Sequence, residues 1–264
     1  MGNVYQSLGQ YQQTIEYLKQ TLAIVREIGD RRGEAASLGN LGKAYLPLGQ
    51  YQQALEYLKQ TLAIAQEIGY RFCEAASLGN LGVAYYSLGQ YQQAIDYHPQ
   101  HLAIAREIGD RQGEANSLGN LGNAYHSLGQ YQQAIDYLQQ SLVIKREIGD
   151  RLGEANSLFN SGLVLAKLGQ RQLAQENYET AKALFESMRQ QHHAQECDTA
   201  LSELAQPADN TPVAEQQPSF SAELENPAAP ERNPASKSRP QRVPITAWFL
   251  LGLGVAALLW WLLR

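Results

Sequence analysis

The feature that most constrains this chain is a unit that returns every 40 residues. Leu38-Gly39-Asn40-Leu41-Gly42 recurs as Leu78-Gly79-Asn80-Leu81-Gly82 and as Leu118-Gly119-Asn120-Leu121-Gly122. The second half of the unit keeps step, since Gly49-Gln50-Tyr51-Gln52-Gln53-Ala54 returns at Gly89 and Gly129 and begins already at Gly9. A worn fourth copy carries Asn156, Phe159, Asn160, Gly162 and Leu168-Gly169-Gln170. A unit this short cannot enclose a core alone, so neighbours must bury one another's apolar faces and the chain must stack as a solenoid.

Within a unit, Ala35, Leu38, Leu41, Ala44, Tyr45 and Leu48 keep helical spacing, and so do Ala54, Leu55, Leu58, Leu62, Ile64, Ala65 and Ile68. Each unit therefore reads as two antiparallel helices, near 31 to 47 and 51 to 68, repeated every 40 residues. Gly49 and Gly69 suit left-handed positions after the two helices. Asp30, Asp110 and Asp150 suit N-caps of the next helix, whereas Tyr70 takes that place once and should lose about 1 kcal/mol of capping. Gly39 and Gly42 fall in mid-helix at about 1 kcal/mol each relative to Ala, which implies close approach of paired helices with Tyr45 and Tyr51 filling the space beside them.

Tyr5 aligns with Tyr45, so the chain begins halfway along a first helix. Either the true start lies upstream, which we prefer, or the helix from about 10 to 28 exposes an apolar edge that invites self-association. At the other end, an amphipathic stretch of about 193 to 204 can cover the last hairpin as a capping helix.

Composition separates three regions. Residues 1–205 hold all 15 Tyr, and 206–244 hold eight of the ten Pro and read as a disordered linker with a reach of roughly 35 Å. Residues 245–263 form an apolar run without charge, long enough for a transmembrane helix. Trp248 lies near one end of that run and Trp260 and Trp261 near the other, at the levels where membrane interfaces favour indoles. Arg232, Lys237, Arg239 and Arg242 precede it and only Arg264 follows, which predicts a C-terminal anchor with the repeats in the cytoplasm. The basic cluster sets that topology and could also attract anionic lipid.

Lys and Arg total 21 against 26 Asp and Glu, a net charge of −5 that argues against a nucleic-acid partner. Two separated cysteines, Cys73 and Cys197, support neither a disulfide scaffold nor a structural zinc site.

The Leu-Gly-x-x-Tyr run followed by the small residue Ala54 resembles the tetratricopeptide repeat (TPR) signature. The 40-residue form with Glu-Ile-Gly-Asp-Arg at Glu27–Arg31 and Glu107–Arg111 is similar to repeats of spindle-orientation adaptors and, in a slightly longer form, of kinesin light chains. The resemblance implies an all-α, right-handed superhelical solenoid over residues 1–205. It would comprise a partial repeat at 1–30, repeats at about 31–70, 71–110, 111–150 and 151–190, and the cap at about 193–204. It also implies that the first helices line a concave surface that contacts ligand. On that surface lie Asn40 and Lys43, then Asn80 and Tyr86, then Asn116, Asn120, Asn123 and His126, then Asn156 and Asn160.

An asparagine column at 40, 80, 120 and 160 offers donors and acceptors to both the N–H and C=O groups of an extended peptide, as the resemblance implies. The alternative is that these carboxamides bond one another and stabilise the stack. Lys43 is the groove's only clear cation by spacing, which argues against a terminal-carboxylate clamp.

No catalytic constellation emerges. His98 and His101 are three apart on one helix but lack a third ligand and flank Pro99, so they read as substitutions for packing residues. His192 and His193 read as a surface turn, and Cys73 as an inert thiol. The expectation is a non-enzymatic, membrane-tethered adaptor without cofactor or metal that captures an extended segment of a partner protein. The alternative is a membrane-bound scaffold self-assembled through the incomplete N-terminal repeat.

Overall fold

The computed structural model describes residues 2–206, with side chains from residue 10 onward. These form ten α-helices and no strand: α1 (Gly2–Glu27), α2 (Arg31–Tyr45), α3 (Tyr51–Glu67), α4 (Arg71–Ser87), α5 (Tyr91–Ile108), α6 (Arg111–Ser127), α7 (Tyr131–Glu147), α8 (Arg151–Lys167), α9 (Arg171–Ser187) and α10 (Gln191–Ala205). Among the described residues no helix is long and apolar enough to cross a membrane. The linker at 206–244, but for Gln206, and the apolar run at 245–263 with Trp248, Trp260 and Trp261 lie outside the described residues.

Helix ends follow local chemistry. Gly29, Gly49, Gly69, Gly89, Gly109, Gly129, Gly149 and Gly169 all take φ between 66° and 74°, the left-handed turn that closes a helix without Cβ strain. Asp30, Asp110 and Asp150 accept from the N–H of Gly33, Gly113 and Gly153 at 2.8–2.9 Å, while Tyr70 supplies no side-chain cap to α4. Pro47, which has no N–H to give, ends α2 early in a short 3₁₀ turn at Leu46–Leu48, where α4 and α6 run on to Ser87 and Ser127.

One expectation about the helices is revised. Residues 2–27 form one unbroken helix, although the recurrence of Gly9 predicts a turn there. Without a complete preceding helix to pack against, the backbone satisfies more of its hydrogen bonds by continuing. Pro99 lies inside α5, which runs from Tyr91 to Ile108, in mid-helix between His98 and His101.

The stack buries one leucine-rich layer per unit. Leu38, Leu41, Leu58, Leu78, Leu81, Leu118, Leu121 and Leu138 are each at most 2% exposed, and each contributes roughly 1.5–3 kcal/mol by leaving water. Mid-helix glycines make this layer possible. A Cβ on Gly42 would stand 2.6 Å from Leu58 Cγ and 3.2 Å from the Ala54 carbonyl oxygen. Gly82, Gly122 and Gly162 meet His98, Leu138 and Tyr178 in the same way. The filler beside the glycine is therefore the residue at 58, 98, 138 or 178, rather than the Tyr45 and Tyr51 expected from spacing. Tyr45 stacks instead on Tyr57 at 5.5 Å, and Tyr85–Tyr97 and Tyr125–Tyr137 repeat the pair at 5.3 Å.

Charge pairing reinforces the period. Arg31, Arg71 and Arg111 bridge Glu34, Glu74 and Glu114 on their own helices at 2.6 Å and reach Glu67, Glu107 and Glu147 at the end of the following helix. Glu34 is bonded from both sides, by Arg26 at 2.8 Å and by Arg31, and these bonds hold its carboxyl below the usual range against the opposing effect of burial. At the far end, α10 lays Ala194 and Cys197 against Ala181 and Phe185, and Leu201 and Leu204 against the layer around Tyr178. His193 is drawn into that contact, stacked 5.0 Å from Phe185, and both histidines sit in the first turn of α10 instead of on a surface turn.

Candidate functional site: an asparagine-lined helical face

Consecutive helices pack along the chain, and α2 also touches α4, α4 touches α6, α6 touches α8 and α8 touches α10. Helices drawn together in this way form the inner layer of a curved stack. The asparagine column lies on them, because residues 40 apart occupy the same turn of successive inner helices.

Two clefts open along this layer. Between α2 and α4 a cavity of about 300 Å³ is lined by Gly39, Asn40, Lys43, Asn80 and the apolar groups of Leu58, Tyr70, Phe72 and Cys73. It adjoins a wider cavity of about 660 Å³ between Asn40, Lys43 and Pro47 and the α1 residues Tyr11, Thr14 and Leu18. Between α6 and α8 a cavity of about 340 Å³ gathers Asn116, Asn120, Asn123, Asn156 and Asn160 with Ser157 and Lys145.

The carboxamides divide into bonded and unbonded groups. Asn160 donates to Asn123 Oδ1 at 3.0 Å, tying α8 to α6, and Asn116 Oδ1 accepts from Gln112 at 3.2 Å. Asn40, Asn80, Asn120 and Asn156 make no side-chain hydrogen bond among the described residues while lining the clefts. Tyr86 and His126 line none of these three cavities. Tyr86 reaches Ser127 at 3.2 Å and tilts against Tyr91, and His126 tilts against Tyr131 at 5.8 Å. Burial, with a smaller effect from Lys167, pushes the His126 imidazole below its ordinary value.

Lys43 is not the only cation of this face. Lys145, on α7, occupies the position of Ala65 and Ala105, is 9% exposed and lines the α6–α8 cleft. Spacing alone marks the position as core, which is why the sequence reading passes over it; the one signal available was a Lys where two sister repeats hold Ala. Burial lowers its pKa, with Asp150 acting weakly the other way.

The other titratable groups serve packing. His98 fills the place of Leu58 and Leu138 with both ring nitrogens unpartnered, and His101 Nδ1 sits 2.7 Å from Ser117 Oγ. Among the described residues no three His, Cys, Asp or Glu side chains converge as metal ligands. Cys73 and Cys197 are free and buried, and burial pushes both thiols up, Cys197 to about 11.

No curated protein matches the chain. Solved structures do. A signal transduction ATPase of the STAND class with a tetratricopeptide repeat sensor, from Pyrococcus horikoshii, superposes with a TM-score of 0.68 at 23% identity over 76% of this chain, which spans 31% of that protein's length. The nearly identical TPR-like repeats of a kinesin-light-chain-like protein from Podosopora anserina give 0.57 at 29% identity over 70% of this chain and 92% of theirs. The Rap conjugation gene regulator of plasmid pLS20, in complex with the Phr* peptide, gives 0.62 at 16% identity over 79% of this chain and 57% of its own. Tetratricopeptide repeat profiles match residues 1–67 and 73–147, more than half of the sequence, and also 40–105 and 155–187. With the paired helices, mid-helix glycines and 40-residue period already described, these matches show that the chain belongs to the tetratricopeptide repeat family.

Proposed function

We propose that this protein is an adaptor whose inner helical face binds an extended segment of a partner protein. The observation that carries the reading is the set of carboxamides at Asn40, Asn80, Asn120 and Asn156, which line the clefts without a side-chain hydrogen bond among the described residues. Asn is a poor helix-interior residue, and unspent carboxamides at one register of three inner helices, with a fourth one turn earlier on the next, suit a peptide backbone that presents N–H and C=O groups in alternation. The clefts differ in chemistry along the face, apolar near Tyr70 and Phe72 and polar near Asn120 and Asn156, so a bound segment would be read for side chains as well as held by its backbone. The peptide complex of the Rap regulator is a precedent for this type of ligand on a related fold.

Residues 245–263 would hold the adaptor at a membrane, with the repeats on the cytoplasmic side and the linker setting their reach. Tyr17 and Ile24 on α1 and Ile28 in the turn after it, at 58–70% exposed, support a second reading in which the N-terminal edge self-associates into a scaffold. Proximity labelling of the full chain beside an Asn80→Ala, Asn120→Ala variant tests the first reading. Partners lost with the substitutions support the groove, whereas an unchanged partner set rejects it. Extraction of membranes at alkaline pH, with and without residues 245–264, tests the tether. Sedimentation of a Tyr17→Ser, Ile24→Ser variant tests the scaffold.

A further inference from the structure

We infer that the solenoid carries a built-in joint: the repeat at residues 71–110 opens before its neighbours, so that α1–α3 and α6–α10 act as two stiff arms hinged at α4 and α5. A stack of equal repeats loosens from its ends inwards, because an end unit packs on one neighbour and an inner unit on two. This chain reverses that order, because several devices that hold its other repeats are missing together from one inner copy.

The first losses fall at the entry to α4. Asp30, Asp110 and Asp150 cap their helices, whereas Tyr70 leaves α4 without a side-chain cap. Glu34 and Glu114 are each held by two arginines at 2.6–2.8 Å, Arg26 with Arg31 and Arg106 with Arg111. Glu74 keeps Arg71 but meets the neutral Gln66, at 3.2 Å, in the place of the second arginine.

The second losses fall in α5. Where Leu58 and Leu138 fill the space beside Gly42 and Gly122, His98 stands beside Gly82 with neither ring nitrogen bonded. Pro99 follows within the helix and brings no N–H for the Ile95 carbonyl. Thr61 and Ser141 each donate to a backbone carbonyl, of Tyr57 and Ala115, and His101 in their place meets Ser117 Oγ at 2.7 Å.

The apolar core breaks at the same point. One buried cluster, Leu58 included, runs from Ile15 on α1 to Ala94 in the first turn of α5. Around α5 and α6 it gives way to small separate groups, Leu78 with Ile104, Ile95 with Leu121 and Leu118 with Ile144. A larger cluster resumes around Leu138, Val164 and Tyr178. The far arm keeps α6, because Ser141 Oγ donates to the Ala115 carbonyl at 2.7 Å and Asn160 donates to Asn123 at 3.0 Å. Opening at the joint changes the separation of Asn40 and Asn120, so a ligand that spans both arms would close it. The joint itself does not depend on that ligand.

Hydrogen exchange of the full chain, read helix by helix, tests the joint. Amides in the middle of α4 and α5 should exchange roughly tenfold faster than those in the middle of α2, α3, α6 and α7. A variant that installs the sister residues, Tyr70→Asp, Cys73→Gly, His98→Leu, Pro99→Gln and His101→Thr, should bring all six helices level. The smaller variant His98→Leu, Pro99→Gln leaves the entry to α4 untouched and should slow exchange in α5 by about threefold or more. Native α4 and α5 amides that exchange as slowly as those of α2 and α7 overturn the joint. So does a difference that both variants leave in place.

Discussion

A Cβ on Gly113 would lie 2.3 Å from Asp110 Oδ2, so the carboxylate that caps α6 and the glycine three residues later require one another. A Cβ on Gly33 or Gly153 would run into the carboxylate of Asp30 or Asp150 in the same way. The one repeat that departs does so at both places, with Tyr70 for the Asp and Cys73 for the Gly. Tyr70→Asp alone should therefore regain little of the roughly 1 kcal/mol of a good N-cap, because the Cys73 side chain blocks the rotamer. Cys73→Gly alone should lose roughly 0.3 kcal/mol of helix propensity. The pair together should show a favourable coupling of at least about 0.5 kcal/mol in a double-mutant cycle of urea unfolding. Strict additivity would reject the linkage.

Arg189 takes φ 59° at the junction between α9 and α10, where the eight preceding junctions each place a glycine. A left-handed backbone costs a side-chain-bearing residue about 1 kcal/mol that glycine avoids. Arg189→Gly should raise stability by about that amount, less any loss from the added freedom of the unfolded chain. A lower thermal midpoint for the variant would show that this junction is held by something other than its φ.

These end signals were legible in the sequence because they are local: an Asp, a Gly and a period fix a cap wherever the helix lies. The pairing of Gly42 with Leu58 was half legible, since the glycine announced a close approach but the residue filling it depends on how two helices cross. Lys145 was not legible as a cleft residue, because its register predicts core, and only the packing shows a buried stem whose ammonium reaches the Asn120–Asn156 cleft. The course of α1 was hidden for a related reason. Gly9 matches Gly49 in sequence, but a turn there depends on a complete preceding helix.

Pro99 replaces Lys59 and Gln139 of the sister helices on an exposed face of α5, so no side-chain packing offsets its missing N–H and the clash of its ring with the preceding turn. Pro99→Gln should stabilise the repeat domain by an amount approaching about 3 kcal/mol. Hydrogen exchange should report the gain most strongly in residues 95–103, since local opening of α5 is where the proline acts. Equal protection in both forms would mean that the helix has already absorbed the proline.

His98 should make this domain sensitive to mild acid. Its ring is 1% exposed, neither nitrogen has a partner, and burial, helped by the charge of His101, lowers its pKa from 6.5 to about 4. The unfolded chain therefore takes up the proton first. Stability is fully present above the unfolded value near 6.5 and declines as pH falls towards 4, by about 3 kcal/mol for this group alone at the lower limit. Glu34 and Glu114 act in the same direction further into acid, as their depressed carboxyls are protonated and release Arg26, Arg31, Arg106 and Arg111. His98→Leu, which restores the residue found at 58 and 138, should raise stability at neutral pH by removing two unpartnered ring nitrogens. It should also flatten the unfolding free energy between pH 6.5 and 4, leaving only the steeper carboxylate-driven fall below that range. If the variant kept the full slope between those values, the titrating group would have to be another, and His101 on the next turn would be the first to replace.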